Sequence, residues 1–298
     1  MDRMNQLAET ITRHAPATGM YGTALRCLSL FRADRPTLPI PSVYEASLCL
    51  IAQGAKRVSV GDRSLVYDAA HYLVVSVDLP MTGHIIEATR DEPYLCCKID
   101  LDPAALADLI IAEGGPTREE MAPALAVYPS DPDLVDAACR LVKLLEQPES
   151  IPALAPLIER EILYRLLIGP HGPTLRRCAA ADTHLNRVSR AIAQIRARFR
   201  EQLRIRDIAA GAGMSESSLH EHFKAITRMT PLEYQKQLRL QEARRLMLAE
   251  GLGAGAAGFA VGYDSPSQFS REYRRLFGAP PRQDVDRMQA GQDYLSAA

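Results

Sequence analysis

The chain has 298 residues, of which 47% are hydrophobic and 24% are charged. This composition is typical of a folded globular protein and excludes a mainly disordered chain. No stretch approaches the roughly 18 uncharged apolar residues of a membrane span, and the first residues lack the apolar core of a secretory signal. The six cysteines show no regular spacing, which argues against a disulfide framework. We therefore expect a cytoplasmic protein with no membrane partner and, from its length, with about two domains.

The charge is divided unevenly along the chain. Residues 1–181 contain 17 Lys and Arg against 23 Asp and Glu, whereas residues 182–298 contain 18 against 13. Arginine supplies 16 of those 18 cations. A basic segment indicates a polyanionic partner such as a nucleic acid, although a solvated surface can carry the same charge. The sequence motifs of this segment decide between a nucleic-acid-binding surface and a solvated one.

Short strands are predicted between residues 39 and 101. Apolar and β-branched segments alternate there with turns at Gly, Pro and Asp. Strands at this spacing are typical of a small antiparallel barrel or sandwich. The predicted strands are 43–53, 56–60, 65–67, 72–77, 83–88 and 94–101.

The periodicity becomes helical after residue 103. Apolar residues three and four apart predict helices over 104–113, 131–146 and 154–168. These apolar stripes either pack on the barrel or form a dimer interface. The sequence GPHGP at 169–173 then ends the helical pattern, and residues 169–181 are predicted to be a linker.

The segment 205–223, IRDIAAGAGMSESSLHEHF, has the pattern of a helix-turn-helix. Gly213 is predicted to form the turn and Ser215 to cap the second helix, because a serine oxygen can accept from free N–H groups at a helix start. Leu219 and Phe223 lie four residues apart and are predicted to face the core.

The same motif occurs a second time over 254–273, AGAAGFAVGYDSPSQFSREY. Ser265, Phe269 and Tyr273 follow their counterparts in the first motif by 50 residues, whereas Gly262 follows its counterpart by 49. The difference is one extra residue, Asp264, in the second turn. An amphipathic helix from residue 232 to about 249 is predicted to join the two motifs.

The segment from about residue 186 to 288 resembles the DNA-binding domain of the AraC/XylS family of bacterial transcription regulators. The second motif, GYDSPSQFSREYRRLFGAPPRQ (262–283), is similar to the signature of that family. The N-terminal half resembles the subgroup with an AraC-type N-terminus, through YEASLCLIAQGAKRV (44–58) and YLVVSVDLPMTG (72–83). In the family, such an N-terminal half is a cupin-like barrel that senses a small molecule or mediates dimerisation.

The resemblance implies an α+β protein of two domains. Residues 1–168 are expected to form a cupin-like β barrel with appended helices, and residues 182–298 an all-α double helix-turn-helix. The implied partners are double-stranded DNA, RNA polymerase, an unidentified small-molecule effector and a second copy of the chain. No cofactor is expected, and the sequence does not separate an activator from a repressor.

One departure from the family pattern concerns the first helix of the second motif. Gly253, Gly255 and Gly258 stand there in place of better helix formers. Each interior glycine costs about 1 kcal/mol relative to alanine. We therefore expect this helix to be loosely formed in the absence of DNA.

The second helix of such a motif enters the major groove, and its outward side chains meet base edges and phosphates. Arg271 is predicted to read guanine, because a guanidinium can bond O6 and N7 together, and Gln268 is suited to adenine. Glu221 has no donor and either accepts from cytosine or holds His220 or an arginine in place. The predicted DNA-contacting residues are Ser215, Ser217, Ser218, His220, Glu221, Lys224, Ser265, Ser267, Gln268, Arg271, Arg274 and Arg275, of which Ser215, Ser265, Lys224, Arg274 and Arg275 are assigned to phosphates. Ser270 faces outward in the same pattern.

Two other patterns compete with this interpretation. Residues 253–258, GAGAAG, match G-x-G-x-x-G, but a helical segment precedes them where a dinucleotide site needs a strand. His71 and His84 are isolated, and His220 and His222 are two apart on a helix, so no metal site is predicted. No catalytic residues are predicted.

Cys97 is a weak candidate for an effector site. In a strand, Cys96 and Cys97 point to opposite faces, and the apolar set that includes Cys97 is predicted to face the barrel interior. The ordinary interpretation is a small buried hydrophobe. The alternative is a thiol that senses an electrophile or oxidant, which requires a lowered pKa.

The sequence therefore predicts a DNA-binding transcription regulator that responds to an effector in its N-terminal barrel. The alternative is a constitutive DNA-binding protein whose barrel only dimerises. A cupin-type enzyme is a third and remote possibility, because the histidine motif of metal-binding cupins is absent.

Overall fold

The structure is a computed structural model that describes residues 2–61, 63–113, 124–179 and 184–289. Ten strands, twelve α-helices and two 3-10 helices (Leu144–Glu146 and Pro148–Ser150) follow one another in these ranges. The strands are β1 (Gly19–Gly22), β2 (Leu28–Ala33), β3 (Ile40–Tyr44), β4 (Ser47–Gln53), β5 (Ala55–Val60), β6 (Arg63–Asp68), β7 (His71–Val75), β8 (Leu79–Glu87), β9 (Tyr94–Asp100) and β10 (Leu125–Pro129). The helices of the first half are α1 (Asp2–His14), α2 (Pro103–Ala112), α3 (Pro132–Lys143), α4 (Ile151–Ile168) and α5 (Gly172–Ala179). Those of the second half are α6 (His184–Arg198), α7 (Ile205–Ala212), α8 (Glu216–Thr227), α9 (Pro231–Ala249), α10 (Ala254–Ala260), α11 (Pro266–Phe277) and α12 (Pro281–Arg287).

The strands form two facing antiparallel sheets. The larger has the order β1-β2-β9-β4-β7-β10 and the smaller the order β3-β8-β5-β6. Alternate residues of the larger sheet, such as Cys49, Ile51 and Leu73, share one apolar core with Val58 and Met81 of the smaller sheet. The predicted β-rich first half is thus confirmed, and the second half is helical as predicted within its described residues 184–289.

The other face of the larger sheet is covered by helices α1, α2, α3 and α4. Leu30, Leu50 and Ile99 point to this side and pack with Leu141 and Ile162 of the helices. Both faces of the central strands are therefore buried, as expected for a sheet between two layers.

The predicted orientation of Cys97 is wrong. Cys97 lies in the core between the sheet and the helices, whereas Cys96 lies on the barrel side and lines its cavity. Alternation along β9 does place the two cysteines on opposite faces. Because both faces of β9 are buried and apolar, hydrophobicity alone could not indicate which face was the interior of the barrel.

Several elements differ from the sequence-based prediction. The predicted strand 43–53 is two strands, β3 and β4, in different sheets. Helix α1 and strands β1, β2 and β10 were not predicted at all. The predicted linker contains α5, which begins directly at Gly172, where a Cβ atom would lie 1.9 Å from the Leu167 carbonyl oxygen. Residues 180 and 181 of that segment lie outside the described residues.

The helical second half packs against the smaller sheet through α6 and α9. The Tyr234 hydroxyl donates to the main-chain carbonyl of Asp78 at 3.0 Å. The Arg196 guanidinium forms ion pairs with the carboxylates of Asp78 and Glu45, the latter at 2.9 Å. These contacts connect the β3–β4 and β7–β8 loops, which lie at the same end of the smaller sheet, to α6 and to α9, the helix that joins the two motifs. Within the described residues, none of the helices is both long and apolar enough to cross a bilayer.

His171, in the turn between α4 and α5, is fully buried against the ring of Tyr128. Its Nδ1 atom lies 3.4 Å from the Tyr128 hydroxyl, and its Nε2 atom has no hydrogen-bond partner among the described residues. Burial lowers the pKa of His171 from 6.5 to about 4. The folded protein thus holds the neutral imidazole.

This lowered pKa predicts a loss of stability in acid. Between pH 6.5 and 4 the unfolded chain takes up a proton that the folded chain does not, so the free energy of unfolding falls as the pH decreases. We expect His171→Leu to reduce this acid-induced loss by about 3 kcal/mol in urea titrations across that range. His220→Leu, at an exposed position, is the matched control. Equal pH dependence of both variants and the parent would contradict the assignment.

Candidate nucleic-acid interface

Helices α8 and α11 share the same kind of N-terminal cap and the same kind of buried face. Each begins at the predicted serine cap: Ser215 accepts from the Ser218 N–H at 3.2 Å, and Ser265 from the Gln268 N–H at 3.4 Å. Their inner faces are fixed by Leu219 and Phe223 in α8, and by the equivalent aromatic pair in α11, all fully buried. The preceding turns contain Gly213 and Gly262, both with positive φ. The predicted repeat is therefore present in the structure, helix for helix.

The predicted DNA-contacting residues outside the two caps lie on the outward faces of α8 and α11. In α8, Ser217, His220, Glu221 and Lys224 are exposed and Ser218 is half-buried. In α11, Ser267, Gln268, Arg271, Arg274 and Arg275 are exposed and Ser270 is half-buried. Each helix thus presents a continuous polar face to solvent, opposite its buried face.

The arginines of α11 differ in their partners from several others of the second half. Arg196, Arg198, Arg200, Arg244 and Arg245 form ion pairs with nearby carboxylates. Arg271, Arg274 and Arg275 of α11 make no ion pair or side-chain hydrogen bond to any described residue. The three exposed cations of α11 are therefore available to an external anion.

Glu221 forms no hydrogen bond with His220 or an arginine within the described residues, so the predicted supporting role of this carboxylate is not seen. His222 instead stacks on His184 of α6, with ring centroids 3.6 Å apart. This contact holds the middle of α8 against α6.

Arg239, on the helix between the motifs, was missed by the sequence-based prediction. Its guanidinium donates to the Phe199 and Gly262 carbonyls, both at 2.7 Å, and to the Glu201 carbonyl at 2.7 Å. The side chain thereby connects the end of α6 with the turn of the second motif. Neither its type nor its spacing differs from those of an ordinary solvated arginine, so no sequence signal could identify it.

Glu272 was also missed, and it lies beneath the outward face of α11. Its carboxylate accepts from the Tyr263 hydroxyl at 2.9 Å and from the Gln268 amide at 3.4 Å, and it pairs with Lys236 at 3.1 Å. Burial raises the pKa of Glu272, but these donors outweigh it and the pKa is lowered overall. The charged carboxylate thus orients the side chain of Gln268.

Helix α10 is a regular helix over Ala254–Ala260 despite its glycines, and its loosening in the absence of DNA stays a prediction. A Cβ atom on Gly258 would lie 3.0 Å from the ring of Phe269, whereas one on Gly255 would have no heavy atom within 4 Å. Gly258 therefore allows α10 to approach α11 closely, and Gly255 has no comparable packing role.

This contrast gives a prediction with an internal control. We expect Gly255→Ala to raise the free energy of unfolding of the second half by about 0.5–1 kcal/mol, because alanine restricts the unfolded chain more and favours the helix. Gly258→Ala should lower it, since the new methyl group displaces Phe269. Urea unfolding followed by helical circular dichroism measures both. A gain from both substitutions would show that α10 does not pack on α11 as described.

A cavity lies between the two sheets of the barrel and opens to solvent. Cys49 and Cys96 line it. Burial raises the pKa of Cys96 to about 12 and that of Cys97 upward as well. The thiolate that a reactive cysteine sensor requires is therefore not favoured at either position. Within the described residues, no group of three or more His, Cys, Asp or Glu is placed to hold a metal ion.

Comparison with known proteins identifies the family. The sequence model of the AraC-type transcriptional regulator N-terminus matches residues 24–174, and that of a helix-turn-helix domain matches residues 208–287. The chain belongs to the AraC-type transcriptional regulators. This AraC-type regulator is 29% identical to the transcriptional activator RhaS of Escherichia fergusonii over 163 residues, which cover 52% of this chain and 57% of RhaS. It is 28% identical to the transcriptional regulator ArgR of Pseudomonas aeruginosa over 36% of this chain and 33% of ArgR.

The fold of the regulator is similar to that of ToxT from Vibrio cholerae. Superposition on the crystal structure of ToxT bound to an unsaturated fatty acid gives a TM-score of 0.58, with 11% identity, over 87% of this chain and 94% of ToxT. The apo form of a ToxT variant gives the same TM-score over 97% of its length. The two-domain arrangement therefore occurs in a solved structure. The chain spans about half the length, or less, of the curated relatives named above.

Proposed function

We propose that this AraC-type regulator is a sequence-specific DNA-binding protein that is not an enzyme, and that both recognition helices enter the major groove. The observation that carries the proposal is the outward face of α11, where three exposed arginines have no partner among the described residues. An equivalent exposed face on α8, with the same cap and the same buried side, supports a second contact. DNA supplies the ordered anionic and hydrogen-bonding partners that such faces lack.

Each side chain has a proposed role. Arg271 reads a guanine and Gln268, oriented by Glu272, reads an adenine. Lys224, Arg274 and Arg275 bind phosphates, which fix the register of the protein on the duplex. Ser217, Ser218, His220, Glu221 and Ser267 lie beside these contacts and are proposed to adjust the base preference. Ser215 and Ser265 cap their helices, so that the N–H groups of each first turn lie near the phosphates.

Substitution of Arg271 tests the proposed base contact. We expect Arg271→Ala to weaken binding by about 1–3 kcal/mol and to relax the preference at one base pair only. Arg274→Ala is the comparison, and should weaken binding similarly on all sequences and reduce its salt dependence. Affinities for the selected site and for its single-base variants measure both effects. If Arg271→Ala weakened binding equally on every sequence, Arg271 would be a phosphate contact.

We propose that a small-molecule effector in the barrel cavity regulates DNA binding. Strand β3 supports this, because Ile40, Ser42 and Val43 line both the barrel cavity and the cleft between the barrel and helices α6 and α9. An effector that prefers one position of β3 would shift the population of the docked arrangement. RNA polymerase is the proposed partner of the regulator at its promoter, on family grounds alone.

We propose further that helix α4 forms a homodimer interface with α4 of a second copy. Leu154, Leu157, Tyr164 and Ile168 are exposed, with Leu157 at 64%. Together with Glu161 they follow the alternating spacing of three and four residues that lets helices interlock along a seam. Glu161 is already paired with Arg140 and Arg165 and therefore does not bring an uncompensated charge to the seam.

Charge placed on this seam should separate the copies. We expect Leu157→Glu to convert dimer into monomer at micromolar concentration in sedimentation equilibrium, since two carboxylates would be buried against each other. Leu232→Glu, an exposed leucine on α9, is the matched control and should leave the dimer intact. A dimer unaffected by Leu157→Glu would place the interface elsewhere.

A further inference from the structure

The barrel cavity contains a lysine in unusual surroundings. Lys56 extends from β5 into the space between the sheets, and its Nζ atom lies 5.2 Å from the ring centroid of Tyr44, 5.8 Å from that of Phe31 and 6.0 Å from that of Tyr94. Met20, Val43 and Ile85 contribute apolar walls. The cavity thus combines an apolar body with one cationic group held among aromatic rings.

No carboxylate compensates the charge of Lys56 within the described residues. The groups that act on it are the Tyr44 hydroxyl and the thiols of Cys96 and Cys49. Burial disfavours the charged form and lowers the pKa of Lys56, whereas Tyr44 and the two thiols raise it overall without supplying a carboxylate counter-charge. A partly desolvated ammonium without a counter-charge is costly, and an anionic ligand would remove that cost.

The second lysine of the cavity is already paired. Lys98 lies 2.6 Å from the carboxylate of Asp100. Lys56, Lys98 and Asp100 together therefore carry one net positive charge, which lies on Lys56. This favours a ligand with a single negative charge over a doubly charged phosphate.

Gly83 leaves room for the polar end of the cavity. A Cβ atom at this position would lie 2.4 Å from the Tyr44 hydroxyl and 3.1 Å from Cε of Lys56. The absence of a side chain at residue 83 thus allows the hydroxyl and the ammonium to lie side by side. A donor hydroxyl next to an ammonium matches the two oxygens of a carboxylate.

We propose that the barrel cavity binds a small organic monocarboxylate, whose carboxylate is held by Lys56 and the Tyr44 hydroxyl and whose apolar body lies against Phe31, Val43 and Ile85. The inference rests on the proposed effector function of the barrel and names the chemical class of the effector. Tyr44 and Val43 belong to β3, so the ligand touches the strand that also faces the helical half.

Two pairs of probes test the proposal on the full-length protein. Phenylacetate and cyclohexanecarboxylate have the required charge, and their amides have the same shapes without it. We expect both carboxylates to bind in calorimetry at least tenfold more tightly than their amides, and to raise the melting temperature. Lys56→Met should weaken carboxylate binding at least tenfold, while Lys143→Met, on the exposed face of α3, should not.

The stability of the free variants separates binding from a structural role. We expect free Lys56→Met to melt at the same temperature as the parent or higher, because methionine has a similar length and no charge to desolvate. A lower melting temperature with unchanged carboxylate affinity would show that Lys56 is a structural cation, and would overturn the proposal. Equal binding of amides and carboxylates, or no binding of either carboxylate, would also overturn it.

DNA binding measured in the same samples separates a failure of the proposed ligand class from a failure of the proposed effector function. A protein that binds its DNA site but no carboxylate contradicts only the ligand class. A protein that binds carboxylate but shows no change in DNA affinity or in promoter output contradicts the effector function and leaves the cavity assignment standing.

Discussion

The guanidinium of Arg239 is the contact on which the proposed mode of DNA recognition depends. Two recognition helices can read one site only if their separation is fixed, and Arg239 fixes it by donating to carbonyls of both halves of the helical unit. Gly262 makes this possible, since a Cβ atom there would lie 2.0 Å from the Arg200 carbonyl oxygen. Burial lowers the pKa of Arg239, but carbonyl acceptors satisfy its donors. One side chain and one glycine thus connect the end of α6 with the turn of the second motif.

Helix α9, which contains Arg239, also connects the proposed recognition helices with the proposed effector barrel. Its N-terminal turn contains Tyr234, which reaches the Asp78 carbonyl of the barrel, and Arg196 of α6 pairs with the Asp78 carboxylate. Strand β3 lies between this contact and the cavity around Lys56. A ligand that moves β3 can therefore change how firmly the helical half is docked, without approaching the recognition helices themselves.

The sequence alone predicted the helical half better than the barrel. The repeat predicted the turns, the serine caps and the exposed faces correctly, because helix starts and amphipathic periodicity depend on neighbouring residues. The side of β9 occupied by Cys97 was predicted wrongly, since both of its faces are apolar. Arg239 and Lys56 left no signal, because their roles arise from carbonyls and rings contributed by distant segments.

The most direct test of the central claim is selection of bound duplexes from a random DNA pool by the full-length protein, followed by affinity measurements on the selected site across a salt series. Two recognition helices held at fixed separation predict a two-part site, with the parts about one helical turn apart, and a steep loss of affinity with salt. In the sites selected by Arg239→Met, the spacing between the two parts should become variable while the base sequence of each part is retained. Binding without sequence preference, or a single short site insensitive to Arg239, would contradict the account.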